Sequence, residues 1–379
     1  MKRIFNFLLF SMPLLLLAQT PFKIQVETRS GYEYNVFNAS KNKWKVIDDD
    51  SIPAIQSGFF QHFNIKNKWE KEIENHLFLV GLKTSFDYFP SLEEANLFRP
   101  ELNLKYQYEL NKKSSLFFRG KLSKYQTNRF NDDEGFSMPT SYAWLGADFG
   151  YKIEPFKYNR TQIKLSAYEK QFEPSEMRNL KYSAFRINLL TTQRFKKAKR
   201  LYHYLSFELD FARRNYMDSF FELDEEEPEE EIFYEDSRER IWQYSTLDLS
   251  YKHSFSREAR LKMGLSLQKR EDILDEQFGY NQWKPYLKFS VKKEKLEVSA
   301  NLESVFRFFT HIEATEDGNE LLIHKYLRTS VLLKYNFSEQ LGLTLRGSMV
   351  IRQRNLMENA KNYLPYTNGL ISLGIKYQF

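Results

Sequence analysis

Six histidines, His62, His76, His203, His253, His311 and His324, are where acid–base or nucleophilic chemistry would start. A hydrolytic site needs a nucleophile or an activated water with a histidine or an acid in reach. The chain has no GxSxG, no HExxH and no histidine pair at metal-ligand spacing. Ser254 follows His253, but neighbouring residues of an extended strand point to opposite faces, which argues against a direct dyad. The same alternation puts His203 and His253 on an outer, apolar face near one rim, with His311 in a loop. With no cysteine, disulfide scaffolds, Cys-based zinc sites and Cys nucleophiles are excluded. No catalytic residue, metal ligand or cofactor is assigned, and the expectation is a protein that is not an enzyme.

The second kind of chemistry is charge. Lys and Arg number 56 against 50 Asp and Glu, a formal net charge of +6. Cations recur at alternate positions of otherwise apolar runs: Lys105, Arg119, Lys121, Lys152, Lys164, Arg186, Lys252, Lys262, Lys284, Lys288, Arg307, Arg328, Lys334, Arg346 and Arg352. Acids in the same phase are fewer: Glu27, Glu101, Glu109, Asp148, Glu208, Asp210, Asp248, Glu297 and Glu303. Rings of Arg and Lys around an aqueous path favour anions. The alternative is that these charges pair across strands and merely solvate or occlude an interior. A separate acidic block holds Glu222, Asp224, Glu225, Glu226, Glu227, Glu229, Glu230 and Glu231. It reads either as a solvated, self-repelling loop or as a collector of divalent cations, because hard cations prefer carboxylate oxygens. Basic residues are spread over turns and alternate strand positions with no recognition motif, so nucleic acid is not an expected partner.

These side chains are positioned by a period-two rhythm. Leu102, Leu104, Tyr106, Tyr108 and Leu110 alternate with polar residues, as do Leu341, Leu343, Leu345, Met349 and Ile351. The pattern predicts strands near 22–37, 54–66, 75–88, 100–111, 115–127, 140–153, 160–172, 180–195, 200–214, 239–254, 259–270, 282–292, 295–309, 323–337, 341–354 and 366–379. Even-numbered segments are followed by short connections (NKWEKE, NKKS, EPFKYNR, KKAK, SREA, KKEK, SEQ), and odd ones by longer ones such as 215–238. Aromatic residues make up 17% of the 379, too many for a chain that cannot bury surface. They cluster at segment ends: Tyr32 and Tyr34, Phe86 to Phe89, Tyr142 and Trp144, Phe306 to Phe309, Tyr377 and Phe379. Ahead of the strands, Lys2 and Arg3 precede an apolar stretch ending at Ala18. That is the layout of a secretory signal peptide over 1–18, with the mature chain from Gln19.

The leader, the alternating segments and a last strand GLISLGIKYQF closing on Phe379 together resemble the Gram-negative outer-membrane β-barrel superfamily, porin-like and up-and-down, over residues 20–379. The resemblance implies a closed antiparallel barrel of about 16 strands (14–18) with short periplasmic turns and long external loops. In that superfamily a terminal aromatic resembles the signal read by the barrel assembly machinery, here carried by Tyr377 and Phe379. Expected partners are outer-membrane lipid and lipopolysaccharide, the assembly machinery, and a second copy or a surface partner. Three functions compete: a pore for small hydrophilic, anionic solutes; a non-transporting accessory or anchor of a surface or secretion complex; and a barrel-embedded hydrolase.

Overall fold

The computed structural model describes residues 22–36, 38, 44–47, 50–53, 55–127, 130–131, 138–139, 141–173, 178–198, 201–222, 234–274, 278–314, 320–355 and 365–379. Sixteen strands close on themselves: β1 (Lys23–Tyr34), β2 (Gly58–Ile73), β3 (His76–Tyr88), β4 (Leu97–Asn111), β5 (Ser114–Tyr125), β6 (Tyr142–Ile153), β7 (Asn159–Phe172) and β8 (Arg178–Ala198), then β9 (Leu201–Glu222), β10 (Tyr234–Ser254), β11 (Ala259–Asp272), β12 (Tyr280–Lys293), β13 (Leu296–Glu313), β14 (Leu321–Asn336), β15 (Leu341–Arg354) and β16 (Tyr366–Gln378). Each pairs antiparallel with its sequence neighbours, and β1 closes the sheet against β16, with Tyr32 opposite Ile371. Two short hairpins and the 3-10 turn Glu93–Ala95 lie in the longer connections.

The predicted segments and the observed strands correspond one to one, with two corrections at their ends. The stretch 67–72, expected as a turn, continues β2: Trp69 pairs with Val80 and Lys71 with Phe78. The reversal is made by Glu74 and Asn75 instead, Glu74 taking a left-handed φ of 51°. Polar residues on both faces hide the strand there, because only Trp69 and Ile73 mark the outer phase. The connection expected over 215–238 is likewise narrower, since β9 runs to Glu222 and β10 starts at Tyr234, paired with each other. The acidic residues 224–231 fall outside the described residues, as does the leader 1–18. At 21–22 residues, β8, β9 and β10 are far longer than the 9–11 tilted residues a hydrocarbon core requires, so this part of the wall projects beyond it on the long-loop side.

Outward positions are apolar and open: Phe59 is 72% exposed, Leu145 62% and Ile371 59%. A continuous surface of this kind would aggregate in water and is matched to lipid. With the sheet closed, no strand edge leaves backbone donors facing hydrocarbon. Aromatic pairs stand at both borders of the apolar band, Tyr32 against Phe59 on the loop side and Tyr335 against Phe337 on the turn side. Tyr142 and Trp144, expected in such a girdle, face the lumen: their neighbours Leu145 and Phe149 hold the outer phase of β6.

Candidate functional site: the barrel lumen

Inward positions of adjacent strands meet across the sheet, so cations and acids far apart in sequence become neighbours. At mid-height Arg186 Nε lies 2.5 Å from Asp210 Oδ2. Asn188 Nδ2 donates to Glu208 Oε1 at 2.6 Å and to Asp210 Oδ2 at 3.0 Å. The Tyr286 hydroxyl donates to Asp248 Oδ1 at 2.9 Å. These groups, with Lys284 and Arg307, line a cavity of about 420 Å³. On the opposite wall a cavity of about 650 Å³ is lined by Glu27, Arg29, His62, Lys66, Lys334 and Arg346, among others. There His62 Nδ1 meets the Asp87 carboxylate, and Lys121 Nζ lies 3.0 Å from Glu101. Further round, Arg328 reaches Glu303 at 2.9 Å and Lys334 reaches Glu297 at 3.6 Å.

Toward the loops the inner wall is aromatic. Rings in successive contact run through Tyr125, Tyr142, Phe172, Tyr182, Tyr216 and Trp242, with centroids 4.6–6.3 Å apart. A second run joins Tyr280, Phe309, His324 and Tyr326. Arg270 bridges the two, its guanidinium 4.1 Å from the Trp242 centroid and 4.3 Å from that of Tyr280. Arg214 sits over Tyr244 at 4.6 Å, and Arg352 over Tyr366 at 5.2 Å. Trp242, Arg270 and His324 are fully buried, so this end of the lumen is packed like a protein core.

Toward the turns the wall is open and basic. A cavity of about 1000 Å³ is lined by Lys112, Lys113, Lys152, Lys157, Arg160 and Arg194, with Glu109 and Glu154 also on its wall. Polar inside, apolar outside and hydrogen-bonded into a cylinder, the sheet has the arrangement that a membrane demands of β-structure.

The chain is an outer-membrane-type β-barrel.

Comparisons of sequence add nothing to that: no protein-family model matches, and no curated protein matches either. Among solved structures, the barrel is similar to the CymD monoaromatic hydrocarbon channel (TM-score 0.37, 8% identity, 96% of this chain and 90% of that one). It is also similar to the ferric citrate transporter FecA in its unliganded form (0.47, 7%, 96% and 79%) and to a mutant of the Rh. blastica porin (0.39, 8%, 95% and 100%). At TM-scores under 0.5 these likenesses carry no argument about role, and the barrel's own ladder carries the fold.

All twelve cations singled out for the pore wall, Lys105, Arg119, Lys121, Lys164, Arg186, Lys262, Lys284, Arg307, Arg328, Lys334, Arg346 and Arg352, occupy inward register positions. They do not form one ring: Arg352 is buried in the aromatic end, whereas Arg328 and Arg346 are exposed in the lumen. The histidines are scattered. His203 and His253 face outward around Tyr251, whose hydroxyl lies 2.5 Å from His203 Nδ1. His311 belongs to β13 and not to a loop, in an irregular stretch where the register shifts between Phe308 and Glu313. Among the described residues no group of three or more His, Asp or Glu is placed to hold a metal ion. The inner aromatic belt and the His62–Asp87 pair escaped sequence reasoning. A usable signal existed for the belt, since Tyr182, Tyr216, Trp242 and Tyr280 fall in the polar phase of their strands, close to the loop ends.

Proposed function

We propose that the protein is a channel of the outer membrane that passes small hydrophilic anions. On this reading the leader delivers the chain to the periplasm, where the assembly machinery reads Tyr377 and Phe379. The short turns then lie at the periplasmic rim, and the acidic loop lies outside among lipopolysaccharide. The observation that supports it best is the basic cavity at the turn-side mouth, continuous in character with the cationic inner wall. The belt at the other end limits the path to small solutes.

Planar-bilayer recording of the purified barrel in a potassium chloride gradient tests the reading. A reversal potential on the chloride side is expected. Silence, or a potential on the potassium side, overturns it.

A specific feature favours a second reading, a non-transporting barrel that docks a surface partner: the overlong β8–β10 wall projects past the membrane while the adjacent lumen is packed. A partner that copurifies, is lost on deleting 223–233, and accompanies a silent barrel would select it.

A further inference from the structure

The lumen cations divide by what holds them. Arg186, Lys121, Arg328, Lys334 and Lys164 each lie within 4.0 Å of a carboxylate, so part of their charge is cancelled on the wall. On the turn-side half of β5 to β12 a second set is held by rings. Arg119 and Lys152 sit 4.8 and 5.1 Å from the centroid of Phe117. Arg194 lies between Tyr158 and Tyr202, at 4.6 and 4.7 Å. Lys252 sits over Tyr204 at 4.6 Å, and Lys262 over Tyr286 at 5.2 Å. An aromatic face orients a cation without neutralising it, so these heads are positioned and remain charged.

The rings are themselves seated by the backbone. Phe117 is 1% exposed and lies across Gly150 on the next strand, where a Cβ would come 2.2 Å from Cζ. Tyr286 lies across Gly264 in the same way, a Cβ there coming 2.4 Å from the ring. Each ring is flat against the wall because the residue opposite has no side chain. Lys152, Arg194 and Tyr204 line the 1000 Å³ cavity. Lys105, Arg119 and Arg160 act on Lys152 through space, and Lys105 stands directly across from Arg119. The carboxylates at this mouth are Glu109 and Glu154, and Glu154 is engaged by Arg160 at 3.2 Å.

We propose that this turn-side vestibule is a binding station for small, multiply charged oxyanions, phosphate-bearing solutes above all, held by Arg119, Lys152, Arg194, Lys252 and Lys262. The proposal rests on the anion-channel reading and deepens it. A crescent of separated, uncancelled positive heads gains little from one monovalent ion. A ligand with several charged oxygens can engage two or three heads at once through charge-assisted hydrogen bonds. Such an ion entering a chloride path would linger and obstruct it.

Inorganic pyrophosphate is the probe. It is expected to bind the full barrel in detergent by calorimetry, and to slow chloride current when added on the turn side. Removing two heads in K152Q/R194Q weakens binding about tenfold, the loss of a charge-assisted contact. K252Q is a separate single variant in case the pair misfolds, and K269Q on the outer face leaves binding unchanged. Anion-preferring current with no heat and no block overturns the station and leaves the channel. Heat of binding in a barrel that never conducts overturns the channel and leaves the station. Unchanged affinity in both K152Q/R194Q and K252Q overturns these residues as its wall.

Discussion

Arg270 and Lys152 each rest on an aromatic face, yet their surroundings differ in every other respect. Arg270 is buried between Trp242 and Tyr280, and its Nε donates to the Phe278 carbonyl at 2.7 Å. Lys152 rests on one ring beside a wide, wet cavity. The guanidinium is planar and weakly hydrated, so stacking on two sides removes little solvation it would miss. The ammonium is compact and strongly hydrated, so it keeps one side in water. One contact type therefore builds a packed end from arginines and an open end from lysines. The choice of cation, more than the choice of ring, separates the two.

The largest effect should come from the packed end. Trp242→Ala empties the centre of the aromatic run and should cost about 3–5 kcal/mol, read as a lower urea midpoint for the barrel in lipid vesicles. Single-channel conductance should rise in the same variant, because the layer it breaks is the narrow one. If conductance is unchanged, the belt is not the constriction. Next, Gly150→Val places a branched side chain where Phe117 lies, with overpacking of about 1–3 kcal/mol in the same assay. It should also lower chloride preference by unseating Arg119 and Lys152, which separates seating from charge. Asp210→Asn acts between the two ends. It leaves Arg186 uncancelled and should move the reversal potential further toward chloride, with a shift that shrinks at high salt as screening grows. The smallest effect lies outside the lumen. Glu74→Gly relieves a left-handed residue in a tight turn and should raise stability by about 1 kcal/mol without altering selectivity.

Much of the wall was legible in the sequence, and the reason is geometric. Period-two alternation reports which face each residue takes, so Leu343, Leu345 and Met349 declare the outer side of β15, and Arg346 the inner. Even an error in a strand end, as at 67–72, leaves the phase intact. What stayed hidden depends on strand-to-strand register, which one strand's own pattern does not carry. His62 and Asp87 are 25 positions apart and meet only because β2 and β3 turn at Glu74 and Asn75. Trp242 looks like any aromatic until its neighbours across the sheet, Arg214 and Asp272, are known. Phe117 over Gly150 depends on the same pairing. Face is local information, and partnership is not.

The seam between Lys23–Tyr34 and Tyr366–Gln378 has a kinetic corollary. It joins the two stretches most distant along the polypeptide, so the cylinder can be sealed only after all the other hairpins are laid down. Until then two unzipped margins, rich in Ile371, Leu373 and Ile375 on one side, stand ready to pair with whatever extended chain they meet. A maturing molecule of this kind is most vulnerable just before it is finished, and escorting it through that interval matters more than speeding any earlier step.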